Sequence, residues 1–340
     1  MKTFAYDQQL ETMPGVVAEV FARPETTGLD PERPILFAGI GTSFHAARIA
    51  ADWVAQLTRG RVRALALDAH DVGAGAFPLQ SGDQLVVISH RGKKVYPLAA
   101  LARGRAAGCL TVAIVGEAAP EQPADITIRT CANETAGTFS VSYLASLAAL
   151  AKLVAATFPA EAAPFATGFA ALPRAIAETL EMRPDQGRVS VFAGATPILV
   201  SGFGTDFVTA QEAALKIKEG AWLWTEAMSP EFAIHGTPAS YTPQMSAIVI
   251  LPAQDDGGRT RLLIDVLKGL NLSAIATCGL KTEAADLAFA EPPHPLLRPF
   301  LAILPFHRLT SSLAHLLDTD PDTLHGHREP WARIMMGLQL

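Results

Sequence analysis

The chain has 340 residues, 49% of them hydrophobic and 18% charged, with a formal net charge of −6. The length suggests two domains of roughly 150 residues each, and the composition excludes a disordered chain. The acidic balance leaves no basic footprint for nucleic acid.

Met1-Lys2-Thr3 leads into polar Asp7-Gln8-Gln9, with no apolar targeting segment. "PILFAGIGTSF" from Pro34 is an apolar strand, a Gly39-Ile40-Gly41-Thr42-Ser43 turn and the start of a helix. "RVRALALDA" from Arg61 and "QLVVISH" from Gln84 read as strands, and "VYPLAALARGRAAG" as a helix closed by Gly108. "LTVAIVG" and "DITIRT" are two more strands. The apolar run from Phe139 carries three serines and Lys152, which marks a buried core helix and not a membrane span. A helical, then turn-rich stretch from about Phe165 to Arg188 reads as a linker. "PILVSGFGTDF" then opens at Pro197, followed by "SAIVILP", the helix "RTRLLIDVLKGLN" and "SAIATCG". Three cysteines, Cys109, Cys131 and Cys278, lack any CxxC spacing and read as buried thiols of a reducing cytoplasm.

Pro34 and Pro197 start similar stretches. Ile35/Ile198, Leu36/Leu199, Gly39/Gly202, Gly41/Gly204, Thr42/Thr205 and Phe44/Phe207 coincide at the same offset. A duplication explains this better than chance. The expected fold is therefore α/β, with two tandem doubly wound parallel-sheet, flavodoxin-like domains at 1–170 and 171–340. Ligands on such sheets bind outside the carboxyl ends of the strands.

Gly39 and Gly41 permit a tight turn and a close approach, and Thr42 and Ser43 add hydroxyls at a helix N-terminus. An anion, most often a phosphate, suits these donors. A plain strand-to-helix turn capped by Thr42 or Ser43 fits them too. A dinucleotide fits less well, because Phe44 stands where the third glycine of GxGxxG belongs. The loop Ser89-His90-Arg91-Gly92-Lys93-Lys94 gathers a hydroxyl and cations at another strand end, and Arg91 could hold a phosphate with two hydrogen bonds. A solvated basic loop is the plainer alternative.

After the second glycine turn, Glu212, Lys216 and Glu219 lie on one helical face at i,i+4 and i,i+3 spacing. A surface salt-bridge ladder is the commoner case. The position just after a sheet edge favours a site, where a Glu near a Lys and a His can shuttle protons. His235 precedes Gly236 in a turn and is a candidate for presentation to a ligand.

The stretches "GIGTSFHAA", "EAALKIKEGAWLWTEA" and "HGTPAS" resemble the SIS (sugar isomerase) family in its tandem form, and the resemblance runs over nearly the whole chain from about Tyr6. It implies chemistry on an open-chain sugar phosphate without cofactor or metal. Glu219 would move the proton between C1 and C2. His235, supplied by the neighbouring subunit of a homodimer, would assist ring opening, and Lys216 would support the site. The turn Gly41-Thr42-Ser43 and the loop with Ser89, His90, Arg91 and Lys94 would hold the phosphate. The family's Ser-x-Ser-Gly-Glu-Thr loop keeps only Ser89 and Gly92 here, so Arg91 and Lys94 bind by charge or fit another anion such as a carboxylate. The family's aminating members carry a glutaminase half and a C-terminal imine-forming lysine. Here the chain opens at Met1-Lys2 and its last lysine is Lys281, with Arg333 the nearest cation to that place. Three readings follow. They are a phosphosugar isomerase or amino-sugar-phosphate deaminase, a deglycase of phosphorylated ketosamines, and a non-catalytic sugar-phosphate sensor. The retention of both Glu219 and His235 argues against the sensor. The expected partner is a small sugar phosphate, with neither nucleic acid nor membrane, in the cytoplasm.

Overall fold

A computed structural model describes residues 3–24 and 28–338. Helix α1 (Ala5–Ala22) precedes β1 (Ile35–Gly39), α2 (Thr42–Leu57), β2 (Ala64–Asp68), α3 (Ala69–Ala74), β3 (Gln84–Ile88), α4 (Val95–Ala106), β4 (Leu110–Val115), β5 (Ile126–Arg129) and α5 (Val141–Thr157). Helices α6 (Ala163–Thr167), α7 (Leu172–Glu181) and α8 (Gln186–Gly194) lead to β6 (Ile198–Ser201), α9 (Thr205–Ala221), β7 (Thr225–Met228), α10 (Pro230–Ile234), β8 (Ser246–Ile250), α11 (Arg259–Gly269), β9 (Ala274–Leu280) and β10 (Leu287–Phe289). Helices α12 (Arg298–Ala302), α13 (Leu304–Leu317) and α14 (Trp331–Gly337) complete the order.

There are two five-stranded sheets, ordered β2-β1-β3-β4-β5 and β10-β9-β8-β6-β7. Every pairing is parallel. In β1, β3 and β6 every residue is buried, as strands covered on both faces require. The chain forms two compact units. The first comprises Thr12–Glu134, Phe139–Pro173 and the chain from Gly326; the second comprises the chain up to Glu11, Thr135–Thr138 and Arg174–His325. The stretch expected to be a linker is mostly helical, since α6, α7 and the start of α8 occupy it.

The two glycine turns have the same backbone. Gly41 has φ 57° and ψ −126°, and Gly204 has φ 59° and ψ −127°. Side-chain-bearing residues avoid that region. The preceding glycine is fixed by space: a Cβ on Gly39 would lie 2.4 Å from the Ser43 carbonyl carbon, and one on Gly202 2.3 Å from the Asp206 oxygen. These contacts press each helix against its strand end.

Helix α5 is the apolar run noted in the sequence. Leu147, Leu150, Leu153 and Val154 are buried within the chain itself. Lys152 donates to the carbonyls of Val20, Phe21, Arg23 and Pro24, satisfying acceptors at the end of α1. The stretch Pro295–Leu317 is long and apolar enough to cross a membrane, but 72% of its apolar 18-residue window is buried in the protein.

In the second unit α13 packs along α9, and the start of α1 is tied to α13. Asp7 accepts from Ser311 Oγ at 2.6 Å and lies 2.8 Å from His315 Nε2. Tyr6 Oη is 2.7 Å from His307 Nδ1. His307 is fully buried, and burial, followed by the Lys216 charge, pushes its pKa down to about 3.

Two stability predictions follow. Gly202→Ala must displace backbone, so it should cost more than Gly204→Ala, whose Cβ meets nothing within 4 Å and which pays only strain of about 1–3 kcal/mol. Denaturant unfolding gives the order, and the reverse order would contradict the close approach. The second prediction concerns His307. Its folded pKa lies below the ordinary 6.5, so between 6.5 and about 3 the unfolded chain binds a proton that the folded chain refuses. Stability should then fall as pH drops through 6.5, by roughly 2 kcal/mol at pH 5. His307→Gln, which cannot take that proton, should flatten the pH dependence of the melting temperature. Equal slopes in the two proteins would contradict a neutral buried His307.

Candidate active site

In the first sheet the chain reverses strand order between β1 and β3, which opens a crevice at their carboxyl ends. Gly41, Thr42 and Ser43 follow β1 there, and Ser89, His90 and Arg91 follow β3. A small cleft is lined by Thr42, Ser43, Ala46, His90, Phe139, Ser142, Tyr143 and Ser146. The N-cap of α2 is Gly41, so no side chain caps that helix end. The loop after β3 is a tight turn: the Gly92 amide donates to the Ser89 carbonyl, Gly92 has φ 60°, and Gln122 Nε2 donates to the Gly92 carbonyl. The turn is well formed, and its Arg91 and Lys93 side chains are exposed.

Within the loop the side chains separate. His90 is buried, stands edge-on to Phe139, and its Nε2 accepts the Glu134 amide at 3.3 Å. Burial lowers its pKa, Arg91 adds to the lowering and Glu134 opposes it. Arg91 is exposed and holds its guanidinium 5.1 Å above the Phe139 ring. Lys94 stands at the N-cap position of α4 without a side-chain capping bond, and its pKa is lowered by burial and then by Arg91.

Glu134 was not singled out from the sequence. Its buried carboxylate accepts from the Ser140 amide (2.5 Å) and hydroxyl (2.7 Å), the Val141 amide (2.9 Å), the Ser142 amide (3.0 Å) and the Ser142 hydroxyl. It fills the N-terminus of α5 with the chain's own anion. An outside anion in this crevice is left with α2, its hydroxyls and the cations.

The second sheet reverses order between β6 and β8, and that crevice is plugged. Asp206, the counterpart of Ser43, is buried and pairs with Arg298 Nε at 2.9 and 3.2 Å. Arg298 also donates to the Leu251 carbonyl after β8 at 2.6 Å. The equivalent turn thus carries an internal ion pair in place of open hydroxyls.

Helix α9 holds Glu212, Lys216 and Glu219. The surface-ladder alternative does not fit: the Glu212 and Lys216 side chains are 0% exposed and that of Glu219 is 27% exposed. Lys216 Nζ lies 3.5 Å from Glu212 Oε1 and 2.5 Å from Glu219 Oε2. The supposed position beside the sheet's carboxyl edge is also corrected. Glu219 lies about 21 Å along α9 from Thr205, at the far end of the helix.

Strand β7 then runs back toward the carboxyl edge before α10 and His235. His235 is 87% exposed, with Glu231 4.0 Å from its Nδ1. The chain brings Lys216 and Glu219 together, whereas His235 has Glu231, four residues before it, as its acidic neighbour. The sequence reading also missed Trp222, which ends α9 in the left-handed region (φ 58°) and stacks on His325 with ring centroids 3.3 Å apart. Among the described residues no group of His, Cys, Asp and Glu could hold a metal ion.

No family model matches the chain. Its curated relatives include glutamine–fructose-6-phosphate aminotransferase [isomerizing] of Zymomonas mobilis, 26% identical over 317 residues, covering 85% of this chain and 50% of that protein. The same enzyme of Pseudomonas aeruginosa is 27% identical over 331 residues, covering 90% and 51%. The chain spans about half the length of these relatives. Among solved structures, the C-terminal domain of glucosamine-fructose-6-phosphate aminotransferase from Francisella tularensis has a TM-score of 0.81 at 17% identity, covering 94% of this chain and 98% of that one. Glucosamine-6-phosphate deaminase from Thermotoga maritima gives 0.72 at 16% identity, covering 94% and 97%. Tagatose-6-phosphate ketose/aldose isomerase from Escherichia coli gives 0.67 at 17% identity, covering 94% and 95%. The homologues of this chain are the isomerase (SIS) portions of glutamine–fructose-6-phosphate aminotransferases, and solved proteins that share its fold include a glucosamine-6-phosphate deaminase and a tagatose-6-phosphate ketose/aldose isomerase.

Proposed function

We propose that the chain is a phosphosugar-processing enzyme of the isomerase or deaminase type, working by acid–base chemistry at C1–C2 of an open-chain sugar phosphate. The observation that carries this reading is the burial of the Glu212–Lys216–Glu219 ladder, with Glu219 alone reaching solvent. A solvated ladder has no need of an inaccessible lysine. A carboxylate held by such a lysine is a fixed proton carrier, able to take a proton from one carbon and return it to the next. Lys216, hydrogen-bonded to Glu219, acts as a cation and not as a nucleophile. His235 stands exposed on its turn, as a residue offered to a second copy of the chain would, and it assists ring opening in a homodimer. The phosphate lies at Gly41, Thr42, Ser43 and Ser89, with Arg91 and Lys94 as cations and His90 shaping the wall. The matched glycine turns and the common strand order support descent of two tandem units from one.

A deglycase of phosphorylated ketosamines is the second reading. Two cations, Arg91 and Lys94, stand near one crevice, which suits a substrate carrying a carboxylate as well as a phosphate.

A panel of fructose 6-phosphate, glucosamine 6-phosphate and a fructosyl-amino acid 6-phosphate, assayed by product, separates the two readings. Glu219→Gln should lower turnover by ~10²–10⁴-fold while sugar phosphate still binds; undiminished turnover would contradict Glu219 as the base. Arg91→Ala should weaken binding of a phosphorylated ligand by roughly 1.5–3 kcal/mol. Unchanged affinity in a folded Arg91→Ala protein would move the anion site elsewhere.

A further inference from the structure

Three serines break the apolar run of α5: Ser140 at its N-cap, then Ser142 and Ser146. A buried helical hydroxyl commonly gives its proton to the carbonyl four residues before it, as Thr58, Thr157 and Thr179 do. Ser142 and Ser146 do not. The Ser142 hydroxyl donates to Glu134, and that of Ser146 makes no hydrogen bond among the described residues. Yet Ser142 is only 2% and Ser146 only 5% exposed, and both line the small cleft beside the Thr42–Ser43 turn.

Glu134 sets the hydrogen-bond polarity of this wall. Three amides and two hydroxyls donate to its carboxylate, which is therefore an acceptor only. The Ser142 proton is committed to it, so Ser142 Oγ has only a lone pair to offer the cleft. A dianionic phosphate has no proton to meet that lone pair. Ser146, one turn further on, has its own proton to give. Residues four apart on a helix hold their Cβ atoms about 5–6 Å apart, the span of two O–H···O bonds of ~2.8 Å that meet at one oxygen. The cleft has a volume of about 10 Å³, room for one water-sized group.

Resting on the phosphosugar reading, we propose that Ser142 and Ser146 seat one hydroxyl of the sugar, on a carbon close to the phosphate. That hydroxyl donates to Ser142 Oγ and accepts from the Ser146 hydroxyl, while the phosphate stays at the α2 turn. An ammonium group is disfavoured by charge: the Arg91 guanidinium stands over the Phe139 ring, which flanks the same cleft, and the positive end of α2 is beside it. The α2 side of the crevice thus takes charge, and the α5 side reads a hydroxyl.

Calorimetric titration of the full chain with fructose 6-phosphate and with propyl phosphate, which has no hydroxyl, tests this. Ser146→Ala should weaken fructose 6-phosphate binding by about 5–10-fold, the effect of one neutral hydrogen bond, and leave propyl phosphate affinity in place. Ser146→Val, which fills the cleft, should remove the advantage of fructose 6-phosphate over propyl phosphate. Ser142→Ala should also weaken fructose 6-phosphate selectively, with an added loss of stability because Glu134 loses a donor; should it not fold, the two Ser146 variants decide. Equal losses for both ligands would assign the serines to the phosphate and overturn the proposal. A lowered melting temperature in Ser146→Ala with both affinities unchanged would mark a permanently held water and overturn it as well. Failure of the phosphosugar reading is seen separately, as an unaltered protein that binds neither ligand.

Discussion

A lysine ammonium with no exposed surface, held between two carboxylates on one helix, is the constraint around which the second unit is built. Taking Lys216 and Glu212 out of water is costly, and only good pairing offsets it. The pairing needs α9 to be regular over Glu212–Glu219, so that i,i+3 and i,i+4 partners meet. It also needs α13 close against α9. Gly220 supplies that closeness, since a Cβ there would lie 2.4 Å from Thr310 Cγ2. The Thr319 hydroxyl donates to the Gly220 carbonyl at 2.8 Å and anchors the chain that follows α13 on the same turn. Removing one member of this ladder strands a buried charge, which is far more damaging than replacing the whole of it.

The two glycine turns show how one backbone device takes two roles. Both place a helix N-terminus at the switch point of a sheet ordered in the same way. At the first, Ser43 leaves a hydroxyl beside the crevice. At the second, Asp206 supplies an anion from within and Arg298 neutralises it across to Leu251. A helix N-terminus attracts negative charge in either case. What differs is whether the chain provides the anion or leaves the place to a ligand. Glu134 does for α5 what Asp206 does near α9.

Local features were readable from the residues. Strand β1, its turn and α2 follow from an apolar run, two glycines and helical spacing, and the offset match foretold the second copy of that geometry. The face shared by Glu212, Lys216 and Glu219 was readable for the same reason: it depends on spacing within one helix. Its burial was not, because burial comes from α13, some ninety residues further on in the chain. The partnerships Tyr6–His307 and Asp206–Arg298 link residues far apart in sequence, and no periodicity announces them. Strands β7 and β10 escaped notice because "TEAM" and "LAF" are too short and too mixed to show a pattern. Glu134 lay outside any motif; only the serines after it, at the start of α5, hinted at a cap.

The central claim is that Lys216 acts as a fixed cation and never as an attacking amine. Sodium borohydride reduction of the protein in the presence of fructose 6-phosphate, followed by peptide mass mapping, tests it most directly. The result expected is an unmodified Lys216 with full retention of the peptide's mass. A sugar-phosphate adduct reduced onto Lys216 would show an imine at that nitrogen and contradict the claim.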